Sequence, residues 1–230
     1  MPDITLSIVT YNSEAFIRKV IDSIIEGLSP IDEWIGDLPD YLIIVVDNAS
    51  TDGTAAAVKA AQQAYPGLIE WLPCTKNRGF GAGHNRSIPL MKSQYHVVVN
   101  PDIVVPRGAL LDMASYMNAH PDVGLLTPKI LFPDGRLQYL CKHATGCFMF
   151  FRTEVYLQIH GFDERFFLYL EDADITRRVN EVSKTVFHPE FHVVHEWQRD
   201  QHKKLSLMWV NVQSWMHYDR KWRRRARRAR

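Results

Sequence analysis

Short apolar runs, each closed by a polar cluster and followed by a stretch with helical spacing, organise the first half of this chain. Ile4–Val9 reads as a buried strand. Phe16, Ile17, Val20, Ile21, Ile24 and Ile25 then share one face of a helix from Glu14 to about Ile25, with Ser13 placed to cap it. Tyr41–Val46 is the next strand, after a connection that contains Pro30, Gly36 and Pro39. An alanine-rich helix at Thr54–Ala64, a strand at Leu68–Leu72, a short helix at Gly81–Met91 and a strand at His96–Val99 continue the alternation. Pro106 opens a further helix through Leu110–Asn118. Strands that are apolar throughout and alternate with helices predict an α/β chain with a mostly parallel sheet covered on both faces.

The second half changes character. Val123–Thr127, Lys129–Phe132 and Cys147–Arg152 read as strands, with a tight turn at Pro133-Asp134-Gly135. Glu171–Asn180 reads as a helix, and Thr185–Phe187 and His192–Val194 as extended segments. Leu205, Met208, Trp209, Val212, Trp215 and Met216 then mark an amphipathic helix, whose apolar stripe is expected to pack on the domain.

Charge changes the picture at the end of that helix. The chain carries a formal +1, yet eight of its 27 basic residues and no acid fall within 220–230, so residues 1–219 carry −7. Aromatic residues followed by arginines compose a surface-lying membrane helix. Each arginine near an anionic leaflet contributes about 1 kcal/mol. Contact with an anionic membrane surface is favoured over an inert tail, and both over nucleic acid.

The 230 residues, 46% of them hydrophobic, leave ample length for a core. No apolar run approaches the roughly 20 residues of a membrane span, and the start lacks the basic region of a secretory signal. Cys74, Cys141 and Cys147 have no C-x-x-C spacing, which argues against a disulfide framework or zinc ribbon. A cytoplasmic chain is expected, peripheral at most on the inner face of the membrane.

Ligands of open α/β sheets bind beyond the carboxyl ends of the strands. Three polar clusters stand there: Thr10-Tyr11-Asn12, Asp47-Asn48-Ala49-Ser50 and Asn100-Pro101-Asp102. Asp47 could accept from a ribose hydroxyl or a base N–H, or form only an Asx-turn. Asp102 could hold a hard divalent ion that keeps most of its ligands as water and diphosphate oxygens, or serve as a cap. The run Asn77–Asn85 is glycine-rich and could approach phosphates, but it matches neither a dinucleotide fingerprint nor a Walker loop. Glu171, Asp172 and Asp174 begin a helix beside an apolar wall, where a carboxylate can act as a general base or merely favour the helix dipole. His192 and His195 are three apart on an extended segment, so they point to opposite faces and should not chelate together.

Taken in order, LSIVTYN, IIVVDNASTDGT, NRGFGAGHN, VVVNPDIVV, GLLTPKILFPDGRLQ, GCFMFFRTEV, GFDERFFLYLEDADITRR and FHVVHE resemble a family 2 inverting glycosyltransferase. The nearest group is the rhamnosyltransferase-like enzymes of bacterial O-antigen and capsule assembly, and the likeness spans about 4–200. It implies a Rossmann-like GT-A fold with a nucleotide-binding half at about 1–105 and an acceptor and catalytic half at about 106–200. Residues 201–230 would form the amphipathic helix and basic tail. The resemblance implies that Thr10, Tyr11, Asn12, Asp47, Asn48 and Asn100 hold a dTDP- or UDP-sugar, with Asn77, Gly79 and Asn85 lining its pocket. Asp102 would meet Mg²⁺ or Mn²⁺, with His195 near the diphosphate. Asp172 would be the catalytic base, and Glu171 and Asp174 would shape the side that takes a saccharide or lipid-linked saccharide acceptor. Two features depart from the pattern: an amide opens Asn-Pro-Asp, and the 139–145 segment is short. The short segment leaves open a catalytically silent nucleotide-sugar-binding or scaffold protein.

Overall fold

β1 (Ile4–Thr10) is flanked by two strands that run in its own direction, β2 (Tyr41–Asp47) and, beyond β3 (Ile69–Pro73) in sequence, β4 (Tyr95–Val99). β3 extends this parallel group on the far side of β2. The chain therefore leaves β1 to one side and returns on the other, which opens a crevice beyond the carboxyl ends of β1 and β4. The computed structural model describes residues 3–31, 38–139, 144–196 and 205–228.

The remaining strands are β5 (Ile103–Val104), β6 (Val123–Leu131), β7 (Leu137–Tyr139), β8 (Phe148–Arg152) and β9 (Lys184–His195). The sheet order is β3-β2-β1-β4-β8-β6-β9-β5, with β7 on β6. β8 joins β4 and β6 antiparallel, so the sheet is mixed but keeps its parallel half where the crevice lies. β6 runs unbroken through Pro128, and its pairing with β9 shifts register there, from His188 opposite Pro128 to His192 opposite Lys129.

Helices cover both faces: α1 (Glu14–Gly27), α2 (Thr54–Ala64), α3 (Phe80–Asn85), α4 (Ala109–Ala119), α5 (Thr153–Gln158), α6 (Glu171–Val179) and α7 (Leu205–Arg228). Ile17, Val20, Ile21 and Ile24 of α1 and Leu110, Met113 and Met117 of α4 bury one face of the sheet against Ile4, Leu6, Ile8, Val97 and Phe150. The other face buries Val98, Leu125, Met149 and Phe151 against Tyr156, Phe162, Ile175 and Val179. Ser13 sits at the start of α1 without capping it through its side chain. Asp52 accepts from the Glu14 N–H at 3.2 Å instead, and Glu14 accepts from the Gly53 N–H at 3.0 Å, so α1 and α2 cap each other.

The expected packing of α7 is inverted. Its apolar stripe faces solvent, with Met208 63%, Trp209 64% and Trp215 58% exposed. The opposite face holds the helix to the domain through polar contacts with residues 163–181. Asp174, fully buried, accepts from Arg178 at 2.8 Å, from Lys221 at 2.7 Å and from the Trp222 indole at 3.0 Å. Lys221 also reaches Asp163 at 2.8 Å, and Arg177 lies 4.2 Å from the centre of the Trp222 ring. Burial would raise the Asp163 carboxyl, but hydrogen bonds from Arg165 and Lys221 more than offset it and hold it well below the usual carboxylate range.

Removing one member of such a buried group leaves charge without a partner. Asp174→Ala is therefore expected to lower stability by about 3 kcal/mol or more. A shift in the urea midpoint, with earlier proteolytic cutting in α7, would register the loss; an unchanged midpoint would show the network to be idle.

Candidate active site

Thr10 and Asp47 end adjacent parallel strands and are paired in register. Both are buried, with Asp47 5% exposed, and the Thr10 hydroxyl lies 3.5 Å from a carboxylate oxygen of Asp47. The Ser50 N–H donates to the same carboxylate at 3.0 Å, so the Asx-turn that the sequence allowed is present. Asn12, at φ +54°, accepts from the Thr51 N–H at 2.8 Å and donates its own N–H to Ser50 at 2.9 Å. The two strand-end loops thus form one wall, and Tyr11 projects from it half exposed.

The glycine-rich run packs against protein. Asn48, buried beside Asp47, donates its amide to the Gly79 carbonyl at 2.9 Å, while its own side-chain oxygen is buried without a partner. Asn77 accepts from the Gly79 N–H at 2.8 Å. Gly79 itself is left-handed, at φ +90°, and a Cβ there would lie 2.2 Å from the Phe167 carbonyl oxygen. A Cβ at Gly81 would lie 2.6 Å from Phe162, and one at Gly83 2.7 Å from Val9. Gly79 and Gly81 bring α3 against the loop before α6 and Gly83 brings it against β1, which accounts for all three without a phosphate. Asn85 does not line the crevice with a spare amide. Its side chain accepts from the Phe162 N–H and the Tyr156 hydroxyl and donates to the Phe162 carbonyl and Glu164, so it braces that same loop.

Asn100-Pro101-Asp102 follows β4, and the Asn100 N–H donates to the Cys147 carbonyl at 2.9 Å. β5 then pairs with β9 and sets Ile103 opposite His195. The imidazole Nε2 of His195 lies 3.2 Å from an Asp102 carboxylate oxygen, and its Nδ1 lies 2.8 Å from the Gln138 side-chain oxygen. In the tautomer that donates Nδ1–H to Gln138, the Nε2 lone pair faces the carboxylate, an arrangement that a cation between them stabilises. Among the described residues no cluster of three or more His, Cys, Asp or Glu could hold a metal alone. One carboxylate and one imidazole nevertheless fit a Mg²⁺ or Mn²⁺ ion that takes its other ligands from water and a diphosphate. His188 lies elsewhere, stacked on Phe191 and edge-on to Tyr116.

Asp172 approaches the same place from α6. It accepts from the Gly146 N–H at 3.3 Å and from the Ala173 N–H at 2.7 Å. The Asn100 turn and Asp172 thus bond to adjoining residues, Cys147 and Gly146; burial raises the Cys147 thiol to about 12, and both Asp102 and Asp172 add to the rise. Glu171 turns inward, 6% exposed, with one carboxylate oxygen buried and unpartnered. Burial first, and the neighbouring Asp172 second, push its carboxyl up to about 8. Asp174 corrects the expectation most plainly, because the donors that bury it in the α6–α7 contact withdraw it from any acceptor.

Gln138 is the residue that sequence reasoning passed over. It stands in GRLQ, but nothing in the spacing ties it to His195 across 57 positions. The segment that follows it lies largely outside the described residues.

A family model described as glycosyl transferase family 2 matches 5–177. An N-acetylglucosaminyl-diphospho-decaprenol L-rhamnosyltransferase of Mycobacterium tuberculosis is 28% identical, over 66% of this chain and 66% of that protein. The rhamnosyltransferase WbbL of Escherichia coli K12 is 23% identical, over 84% and 83%. A Pyrobaculum calidifontis mannosyltransferase solved with GDP-Man and Mn²⁺ superimposes with a TM-score of 0.70 at 20% identity, over 87% of this chain and 59% of that one. Staphylococcus aureus TarS with UDP-GlcNAc gives 0.70 at 18%, over 86% and 60%. The chain thus spans about two thirds of the mycobacterial relative and three fifths of these structures. The likeness in structure shows the GT-A fold. With the family match running from β1 into the helix that carries Asp172, the chain belongs to glycosyl transferase family 2.

Proposed function

We infer that this chain moves a sugar, with inversion and with a divalent cation, from a nucleoside-diphosphate sugar to a saccharide or lipid-linked saccharide acceptor in bacterial surface-polysaccharide assembly. The names of the mycobacterial and E. coli relatives, both rhamnosyltransferases, support rhamnose as the sugar, and dTDP-rhamnose is the donor form proposed for it. One observation carries the reading: the Asn100-Pro101-Asp102 turn, with His195 on Asp102, bonds to Cys147, and Asp172 at the head of α6 bonds to the adjoining Gly146, at the end of the parallel strands that carry Thr10 and Asp47.

Inverting transfer needs a base for the acceptor hydroxyl and relief of the charge that develops on the departing diphosphate. Asp47, with Thr10 and Asn12, would orient the nucleoside. Asp172, held by two backbone N–H groups, would take the hydroxyl proton as that oxygen attacks the anomeric carbon from the face opposite the leaving group. Burial and the neighbouring Asp172 favour the protonated form of Glu171 at neutral pH. A cation held by Asp102 and His195 would neutralise the leaving diphosphate.

Calorimetric titration with UDP, dTDP and GDP, each with and without Mn²⁺, tests the donor side. One nucleotide is expected to bind tightly only with Mn²⁺, and Asp102→Ala to weaken it at least tenfold, about 1.4 kcal/mol. Failure of every nucleotide to bind would sink the reading. Donor binding with neither transfer nor donor hydrolysis across a broad acceptor panel would favour a silent nucleotide-sugar-binding protein.

A further inference from the structure

Five of the large apolar side chains left exposed among the described residues fall on α7: Met208, Trp209, Val212, Trp215 and Met216. Their spacing gathers them on one face of the helix. That face continues through Arg220 and Arg223, both exposed, with Asp219 paired to Arg223 at 2.7 Å. The inward face is fully engaged, through Ser214, Tyr218, Lys221, Trp222 and Arg225, with residues 163–181. The stripe is therefore not a packing face waiting to turn inward.

We propose that the outward face of α7 seats the protein on an anionic lipid surface, with the tryptophans and methionines entering the headgroup boundary and the arginines meeting phosphates. Two observations select lipid over other occupants. Tryptophan and methionine in a strip that grades into arginine along one helix face match the interfacial chemistry of a bilayer, where apolar depth and anionic headgroups lie side by side. The charge division adds direction: residues 1–219 carry −7 and are repelled by an anionic leaflet, whereas 220–230 carry eight cations and no acid. With Lys221 and Arg225 already paired inward, the remaining cations of that segment still make an approach with α7 toward the lipid the one this charge division favours.

The position of the stripe gives the seat a use. Ser214 meets the Leu168 carbonyl, Trp222 meets Asp174 and Arg225 meets Glu181, so α7 runs alongside α6 in the same direction. The apolar half of α7 thus lies beside the end of α6 that carries Asp172. Membrane seating would present that end to an acceptor held in the bilayer by its lipid. This use rests on the transferase reading above, whereas the lipid binding stands apart from it.

Sedimentation of the whole chain with vesicles, of phosphatidylcholine alone or with about one third phosphatidylglycerol, tests the seat. The chain should sediment with the anionic vesicles and much less with the neutral ones. Trp209→Ser with Trp215→Ser should weaken binding about tenfold or more, and Arg220→Gln with Arg223→Gln should flatten its dependence on salt. Nucleotide affinity, titrated on the same samples, should not move with either pair. Failure to sediment with anionic vesicles, or a tryptophan pair that binds like the parent, overturns the seat. So does a dimer in solution that the tryptophan pair dissolves, because a second copy would then cover the stripe. Lipid binding without any nucleotide binding would support the seat while removing the transferase reading.

Discussion

Asp172→Asn is expected to remove sugar transfer while leaving donor binding within about twofold of the parent. The substitution keeps the size of the side chain and can still accept from the Gly146 and Ala173 N–H groups, so α6 should start where it does now. What is lost is the ability to take a proton. General-base assistance contributes typically about 10²–10⁴-fold, and the rate under saturating donor and acceptor should fall by that amount. Glu171→Gln is the informative companion. Burial and Asp172 hold the Glu171 carboxyl at about 8, so near pH 7 it is already neutral and an amide copies its charge. Its rate should stay within a few-fold of the parent near neutrality. Above about pH 8 the parent gains the Glu171 charge beside Asp172, and the glutamine variant does not. A single-turnover transfer assay across pH 6–9 measures both effects. Asp172→Asn working at the parental rate would show that Asp172 is not the base.

The strand ends were legible because each apolar run stops at a cluster of residues that cannot continue it. Val46 gives way to Asp47-Asn48, and Val99 to Asn100-Pro101-Asp102, so parallel order alone brings their ends together. The shortest elements left no such mark. β5 is two residues long and β7 three, and neither has a period to read, yet β5 is what sets His195 against Asp102. α7 misled for a different reason. A hydrophobic stripe identifies a helix with two unlike faces, but it does not say which face meets the domain. Here the inward face is polar because Asp174 is buried and needs Lys221 and Trp222 across the contact. The glycines of Asn77–Asn85 were visible as a run, but a run of glycines does not distinguish close approach of protein from close approach of phosphate. Asn85 gave no sign that the turn at Phe162 would use its whole amide.

Acidification is expected to unfold the protein through a pair of histidines remote from the solvent. β1 alternates more than its sequence suggested, since Thr5 and Ser7 point away from the apolar core that Ile4, Leu6 and Ile8 enter. They meet His96 and His84: Ser7 lies 2.7 Å from Nδ1 of His84 and 3.1 Å from Nε2 of His96, and Thr5 lies 2.9 Å from Nδ1 of His96. Ser7 has one proton to give, so at least one of the two imidazoles donates to its oxygen. Both histidines are fully buried, and burial lowers His96 to about 3 and His84 well below its usual value, with the charge of His96 opposing His84 further. The unfolded chain binds these two protons below about 6.5, whereas the folded chain refuses them. Stability is therefore full above that pH and falls as pH drops below it, by about 1.4 kcal/mol per unit for each histidine. Two histidines together give about 2.7 kcal/mol per unit, and a total stability of about 5–15 kcal/mol cannot absorb many units of that. Urea unfolding at intervals between pH 8 and pH 5 should show this slope. The double variant His84→Asn with His96→Gln should start lower, because its core is less well filled, but lose stability less steeply as pH falls. Equal slopes for parent and variant would mean that the acid sensitivity lies with other groups.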